Sequence, residues 1–406
     1  MQEQRYIVLE VESTGLEAEP SGRRRRGSPF DPGAVAEPPS ASLSVEELTP
    51  ADASDARRAA GRVVAEPLPT QLVQPVATSE VDEPAERGAA WGVEAVGATE
   101  SRFTGSGVTV AVLDTGIDAD HDAFADLKVT QRDFTGEGEG DRHGHGTHCA
   151  GTIAGRDTQG LRIGVAPGVE KLLVAKVLGT EGGSTDALAQ GMLWALEAGA
   201  NVMSMSLGLD FPGLVAQWAE QGVPVQPATS RALEAYRDNL RLFGALAGLI
   251  RANAAFGRAA VVVAATGNES ARNASAPYTI GAAPPAASEG FIPVGALGRT
   301  GDGTLEVAYF SNTGAALAAP GVDIVSAKAG GGLMSMSGTS MATPHVAGVA
   351  ALWAESTMES ADGHLDPAIL SSRLIGSSRE VASLSAQDGG AGLVRAPMIS
   401  EAARRW

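Results

Sequence analysis

Short apolar runs, each bounded by glycine or polar residues, recur along the chain from Trp91 onward. Each run is too short for a helix and almost continuously apolar, as in strands buried on both faces of a parallel sheet. We predict strands at Val108–Leu113, Leu172–Leu178, Val202–Ser206, Val261–Ala265 and Phe291–Ala296. Segments with helical periodicity lie between or after them, at 185–198, 230–256 and 340–355. This alternation predicts right-handed βαβ units and an α/β domain, whose doubly wound, mostly parallel sheet carries helices on both faces.

The first part of the chain has a weaker and more mixed pattern. Tyr6–Glu12 alternates like a strand, Ala51–Ala60 fits a short helix, and Arg62–Ala65 fits another strand. Residues 15–57 are rich in Pro, Ser, Ala, Glu and Arg and lack periodicity, which is typical of a mobile segment. Two interpretations of residues 1–76 stay open: a small α+β module with a disordered insertion, or a wholly disordered tail.

Composition supports a division of the chain into two parts. It changes sharply near residue 90, so we assign an N-terminal segment to 1–76, a linker to 77–90 and the main domain to 91–406. With 406 residues, 44% of them hydrophobic, the chain is long enough for one large core plus an appendage.

Charge and cysteine content restrict the possible classes of function and the cell compartment. A formal net charge of −18 argues against nucleic-acid binding. The sequence has no run of about 18 apolar residues, so it predicts no membrane-spanning helix. Residues 1–10 lack the pattern of a secretory signal. A single cysteine, Cys149, excludes an internal disulfide and suits a reducing compartment. These features favour the cytoplasm and leave secretion open.

Two chemically active side chains follow the first predicted strand. Asp114 ends that strand directly before a glycine turn, where a buried carboxylate needs a partner; a helix cap or a structural ion pair is the alternative. His145 lies between two glycines, so its ring can face a cleft. Metal binding is the alternative for His145, because His143 and His148 lie nearby, but their spacing is not that of a helical zinc motif.

Two more polar groups lie in the second half of the domain. Asn268 follows a strand and a glycine, where it caps a turn or points its amide into the crevice beyond the strand ends. Ser340 stands at the start of a helix of small and apolar residues, where it is an N-cap or a nucleophile. The unpaired N–H groups at a helix start would stabilise an anion that forms beside the hydroxyl.

The order of these four residues carries a family resemblance. Residues 91–405 resemble the subtilisin-like serine peptidases, the subtilases. Their three signatures closely match the segments VLDTG at 112–116, HGTHCAG at 145–151 and GTSMATPH at 338–345. The chain order Asp, His, Ser is also that of subtilisin.

The resemblance implies a serine endopeptidase that works through an acyl-enzyme intermediate and needs no cofactor. Ser340 would attack the scissile carbonyl, His145 would carry its proton, and Asp114 would orient the imidazole. The Asn268 amide and the Ser340 backbone N–H would hold the oxyanion. Cys149 would be a small buried residue rather than a second nucleophile.

The resemblance also assigns a cleft that binds an extended peptide or protein substrate as an added strand. The first wall would be formed by Ser206, Leu207 and Gly208. The opposite wall would be formed by Gly182, Gly183 and Ser184, for which a plain loop before the helix is the alternative. The primary pocket would be bordered by Ala265, Thr266, Gly267 and Glu269. Glu269 would favour basic or small polar side chains there.

The chain departs from the family pattern between 209 and 258, where it is longer than usual. We expect a lid or rim that narrows substrate choice, with a surface embellishment as the alternative.

Calcium, if bound, would be structural. Its candidate positions are the loop Asp157–Leu161, the acidic loop Glu137–Asp141, and Asp122, which stands beside Ala123 where the family has a carboxylate.

The N-terminal segment resembles a subtilase propeptide. Residues 62–75 match its last strand and its exit tail, which is extended and partly apolar. This implies a zymogen whose own segment occupies the cleft as an intramolecular inhibitor until the chain is cut within 70–90. Two other functions stay open: a processing protease for one partner or precursor peptide, and an inactive binding module with this fold.

Overall fold

The computed structural model describes residues 3–12, 37–81, 88–361 and 363–398. The strands of this part are, in chain order, β1 Gln4–Glu12, β2 Ser40–Leu48, β3 Arg62–Ala65, β4 Pro69–Leu72, β5 Ala77–Val81, β6 Gly88–Ala89, β7 Thr109–Asp114, β8 Lys128–Asp133, β9 Leu161–Arg162, β10 Lys171–Lys176, β11 Leu178–Gly179, β12 Gly182–Ser184, β13 Val202–Met205, β14 Leu207–Leu209, β15 Val261–Ala265, β16 Phe291–Arg299, β17 Leu305–Val307, β18 Leu317–Pro320, β19 Ile324–Ala327 and β20 Leu333–Ser337. The α-helices are α1 Pro50–Ala56, α2 Trp91–Ala95, α3 His145–Ala154, α4 Thr185–Glu197, α5 Phe211–Glu220, α6 Val225–Asn253, α7 Thr339–Ser360, α8 Pro367–Gly376 and α9 Ala386–Gly389, with 3₁₀ turns at Asp122–Phe124 and Ala254–Phe256.

The central sheet has the order β17-β16-β15-β13-β7-β10-β8, with β18 also paired to β16. Its strands run parallel except β17, which pairs antiparallel to β16. The predicted α/β fold with a mostly parallel sheet is confirmed, and each of the five predicted strands is present to within about three residues at its ends. Because parallel strands end at one edge, this order brings the ends of β7, β13 and β15 together.

Alternation along β7 explains why helices cover both faces of the sheet. Val110 and Val112 point into the core that α3 and α7 cover. Ala111 and Leu113 point into the opposite core, which α4 and α6 cover. Since successive strand residues face opposite ways, an apolar residue at every position requires a helix layer on each side.

The N-terminal segment forms a small α+β module. Its antiparallel sheet has the order β2-β1-β3, and α1 packs on one face through a cluster of Tyr6, Val8, Ala53 and Val64. The other face of β1 contributes Ile7 and Leu9 to the core beneath α4 and α6. The module is therefore anchored on the main domain by buried apolar surface.

The structure corrects the expected mobile segment over part of its length. Residues 40–48 form β2, paired with the whole of β1, and residues 50–56 form α1. Their polar composition reflects a sheet edge exposed to solvent, where backbone pairing supplies order without many buried side chains. The other part of that prediction, residues 15–36, lies outside the described residues.

The longer stretch between 209 and 258 forms a helical hairpin, which we call the insertion. It comprises α5 and the first half of α6, which begins at Val225 rather than at the predicted residue 230. Asp210 caps α5, since its side chain accepts from the N–H of Gly213. Leu214 and Trp218 of α5 pack on Ala228, Ala232 and Ala235 of α6.

Across the described ranges, every helix is too short or too polar to span a bilayer.

Candidate active site

Asp114 and His145 form a buried pair beyond the end of β7. His145 is the first residue of α3, and Gly144 before it has φ +88°, a backbone conformation that favours glycine. The Nδ1–H of His145 donates to Asp114 Oδ1 at 2.8 Å, and both side chains are almost completely buried. The Nε2 atom of His145 has no hydrogen-bond partner among the described residues. Burial disfavours the imidazolium, yet the Asp114 carboxylate outweighs it and raises the pKa of His145 well above its ordinary value.

Asp141 holds the start of α3 against the end of β7. Its carboxylate accepts from the N–H and hydroxyl of Thr147, from the Gly144 N–H and from the Thr115 hydroxyl. Burial alone would raise its pKa, but these hydrogen bonds, led by those of Thr147, hold the pKa below its usual value. Sequence reasoning had placed Asp141 only in a calcium candidate loop. An acidic residue shortly before a helix start can indicate a positioning role, and Asp141 shows this signal in the sequence.

Ser340 and Asn268 face each other at the start of α7. The Asn268 Oδ1 atom accepts from the N–H and the hydroxyl of Thr339, so its Nδ2 group turns toward the cleft. Nδ2 donates to the carbonyl of Gln74 at 2.9 Å. The Ser340 hydroxyl donates to the carbonyl of Val73 at 3.0 Å. Two consecutive carbonyls of the N-terminal segment are thus bound at these two groups.

The segment crosses the cleft as an added strand. β4 lies antiparallel between β12 and β14, with Thr70 opposite Gly183 and Gln71 opposite Gly208. The predicted walls coincide with these strands, because β12 is Gly182–Ser184 and β14 contains Leu207 and Gly208. A Cβ atom on Gly183 would lie 2.1 Å from the Val177 carbonyl oxygen, which explains the glycine there.

The path continues past Ser340 without a break in the chain. The Val73 N–H donates to the carbonyl of Ser206 at 3.4 Å, on the wall that we predicted. Beyond Pro75, the Val76 N–H donates to the Ser337 carbonyl at 2.8 Å, and β5 then pairs with β20. Backbone pairing therefore holds the segment on both sides of Ser340.

A cavity of about 580 Å³ opens beside Val73. It is bordered by the four residues predicted for the primary pocket, which are Ala265, Thr266, Gly267 and Glu269. Tyr278 and Ile280, which sequence reasoning missed, add an apolar wall. The Glu269 carboxylate accepts from the Asn312 amide at 2.5 Å, so it is tied to the protein.

Cys149 lies behind the imidazole. Its Sγ atom is 3.8 Å from His145 Nδ1, and burial raises the pKa of the thiol. A thiol kept protonated in this way is a poor nucleophile.

The acidic residues named for calcium do not assemble into a carboxylate site. Among the described residues, the one convergence of at least three possible His, Cys, Asp or Glu ligands is Asp114, His145 and Cys149. Asp122 and Asp157 line one surface pocket, but no such group forms around them. The Glu137 carboxylate accepts from Thr180 and pairs with Lys176.

Comparisons with known proteins agree with this geometry. The model of the Subtilase family matches residues 105–389. M-protease from Shouchella clausii (strain KSM-K16) is 38% identical over 271 residues, which cover 64% of this chain and 58% of that protein. Subtilisin Savinase from Lederbergia lenta is 38% identical over 271 residues, covering 64% of this chain and 82% of Savinase. An intracellular serine protease from Paenibacillus polymyxa is 36% identical over 259 residues, covering 61% of this chain and 67% of the relative. The match thus spans less than two thirds of M-protease.

Proposed function

The chain belongs to the subtilase family, and we propose that it is a serine endopeptidase with Asp114, His145 and Ser340 as its catalytic triad. One observation carries the proposal: the hydroxyl of Ser340 donates to a carbonyl of a peptide strand in the cleft. Cys149 links this serine to the buried Asp114–His145 pair, because its Sγ atom lies 3.5 Å from the Ser340 carbonyl oxygen and 3.8 Å from His145 Nδ1. An extended substrate strand is what an endopeptidase of this kind has to bind.

The proposal assigns each of these groups one step of the mechanism. Ser340 Oγ attacks the scissile carbonyl carbon while His145 Nε2 takes the hydroxyl proton, which then passes to the leaving amine. Asp114 fixes the tautomer with the Nδ1 proton and stabilises the imidazolium. The Asn268 amide and the backbone N–H of Ser340 hold the developing oxyanion. Water then hydrolyses the acyl-enzyme, and this family needs no cofactor for these steps.

We further propose that residues 1–76 inhibit the enzyme from within the same chain, so that the full chain is a zymogen. A productive substrate presents one carbonyl to both the serine and the oxyanion donor. Here the Val73 carbonyl accepts from Ser340, while the next carbonyl, that of Gln74, occupies Asn268. The two groups are divided between neighbouring peptide units, which leaves the bound segment uncut.

The test uses the full chain with a recognition site for an unrelated cysteine protease placed in 82–87, cut there and diluted; we call this the nicked chain. We expect the nicked chain to hydrolyse a denatured protein substrate as the segment dissociates. The Ser340→Ala nicked chain is the control and should be inert. Equal hydrolysis by both chains, or hydrolysis by neither, would contradict the proposal.

The insertion beside the cleft supports a processing role on few substrates rather than broad digestion. We also propose a cytoplasmic location, on the single cysteine and on the relative from Paenibacillus polymyxa that is named as intracellular.

A structural calcium ion near Asp122 and Asp157 would need backbone carbonyls as its further ligands, because the carboxylates do not converge. A lower melting temperature of the full chain after chelation, restored by calcium, would support this ion. An unchanged melting temperature would exclude it.

A further inference from the structure

The N-terminal segment touches the insertion at positions upstream of the cleft strand. We propose that the insertion builds an additional substrate subsite, beyond the two walls of the cleft. This subsite takes an apolar side chain five positions before the residue at Ser340, with a carboxylate two positions further upstream. The inference rests on the proposed endopeptidase function and states which substrates the enzyme prefers.

The apolar part of the subsite is occupied by Leu68, five positions before Val73. Leu68 is 4% exposed and packs in one cluster with Leu209 at the end of β14 and with Leu214 and Trp218 of α5. Its backbone is fixed at the same time, since the Leu68 N–H donates to the Thr185 hydroxyl at 3.0 Å. The side chain therefore enters the cluster from a strand whose register the cleft already sets.

The polar part of the subsite is occupied by Glu66. Its carboxylate accepts from Arg231 of α6 at 2.7 Å, and its carbonyl accepts from the Asn239 amide at 2.9 Å. The Arg231 guanidinium lies 4.4 Å from the centre of the Trp218 ring, so that the cation and the apolar cluster share one wall.

A third contact joins the subsite to the cleft. The Gln71 amide donates to Asp210 Oδ2 at 3.0 Å, and Asp210 also caps α5. The contacts at Glu66, Leu68 and Gln71 therefore follow one another along the chain, from the residue after β3 into β4.

A substrate that keeps the path of β4 and of the residues before it leaves the cleft by this route. A strand advances about 3.3 Å per residue, so five residues reach about 16 Å upstream, onto α5 and α6. Departure of the N-terminal segment would expose Leu214 and Trp218, and a substrate with an apolar residue at this position would bury them again. Such burial predicts roughly a tenfold or larger gain in kcat/KM. The half-exposed ion pair should contribute only about twofold.

The experiment compares peptide p-nitroanilides on the nicked chain. The long peptide is Glu-Pro-Leu-Pro-Thr-Gln-Leu-Val, the sequence of residues 66–73. The short peptide is Thr-Gln-Leu-Val, and a third peptide is the long one with serine in place of its first leucine. We expect kcat/KM for the long peptide to exceed that of the short one roughly tenfold, and the serine peptide to lose this gain.

Enzyme variants locate the effect. Trp218→Ser should lower the ratio of long-peptide to short-peptide kcat/KM toward one, whereas Val225→Ser, which changes an apolar residue 60% exposed on α6, should keep the ratio. Arg231→Gln provides a second test at an exposed position, because it should abolish the preference for glutamate over glutamine at the first position of the long peptide.

Equal kcat/KM for all three peptides, with clear hydrolysis of the short one, would overturn the subsite and leave the proposed function intact. Failure to hydrolyse any peptide, including the short one, would contradict the endopeptidase function and the subsite with it.

Discussion

At the scale of single residues, two buried histidines of α3, His145 and His148, have pKa values shifted in opposite directions. Burial alone would keep His145 neutral, and the Asp114 carboxylate 2.8 Å away restores its basicity. His148, one turn further along α3, contacts backbone carbonyls and no carboxylate among the described residues; burial, with the nearby His145 charge, lowers its pKa to about 3. The two pKa shifts thus have opposite signs because, of these two histidines, His145 is the one that faces a carboxylate.

The first prediction concerns pH. His145 has to be neutral to accept the serine proton, and its raised pKa keeps the proton on the imidazole at low pH. We expect kcat/KM of the nicked chain on the short peptide to rise with pH through an apparent pKa above the ordinary value of about 6.5. A profile already flat at pH 6 would contradict the assigned pair.

The second prediction concerns Asn268. Replacement by alanine removes one oxyanion donor, and we expect kcat to fall roughly 10²–10³-fold with little change in KM, by analogy with the figure known for subtilisin itself. Steady-state kinetics of the nicked chain measure this. A loss confined to KM would mean that Asn268 serves ground-state binding instead.

Motif positions could be proposed from the sequence because glycines and strand ends mark them, as at Asp114, His145 and Ser340. Asp141, Asn312 and Tyr278 could not, since each acts through a loop whose path depends on distant contacts. Asn312, for example, reaches Glu269 across 43 positions of sequence.

At the scale of elements, the insertion contacts the N-terminal segment outside the proposed subsite as well as within it. Besides the contacts of the subsite around Leu68, Asp238 of α6 accepts from Arg57, the C-cap residue directly after α1. Burial raises the pKa of Asp238 although Arg57 and Arg241 work against it. The helical pattern predicted a long helix here, but amphipathic periodicity does not reveal which partner covers the apolar face. The lid or rim expected from the sequence remains a hypothesis, and the subsite proposed above is a specific version of it.

The third prediction concerns the contact between Arg57 and Asp238. Arg57→Ala removes a partly buried charged hydrogen bond worth about 1 kcal/mol, so the segment should dissociate from the nicked chain roughly fivefold faster. The rate at which peptide hydrolysis appears after nicking measures this. Arg58→Ala is the matched control, since the one ion pair of Arg58 among the described residues is with the exposed Asp55. Equal dissociation rates for the two variants would contradict the anchoring role of the Arg57–Asp238 contact.

At the scale of the whole molecule, the sheet order brings the strand ends of β7, β13 and β15 to one edge, and residues 69–76 of the N-terminal segment lie across it. The apolar runs predicted this sheet because continuous burial leaves a clear signal. β2 was missed because its side chains are mostly exposed, with order supplied by pairing to β1.

The fourth prediction concerns acid stability. The pKa of His148 is about 3 and that of His345 about 4, so between these values and about 6.5 the unfolded chain binds more protons. The free energy of unfolding should therefore fall as pH decreases from 7 to 5, by up to about 1.4 kcal/mol per pH unit for each histidine. Denaturant titrations of the full-length Ser340→Ala chain measure this slope. His345→Gln should flatten it, and an unchanged slope in that variant would contradict the assignment.

The central claim is that Ser340 is a catalytic nucleophile kept idle by the chain's own N-terminal segment. The most direct test is labelling by a fluorophosphonate, with the modified residue identified by mass spectrometry before and after nicking within 82–87. We predict little label on the intact chain and rapid, stoichiometric label at Ser340 after the segment dissociates. Absence of label at Ser340 in the nicked chain would contradict the role of Ser340 as the nucleophile. Equal labelling before nicking would contradict inhibition by the N-terminal segment.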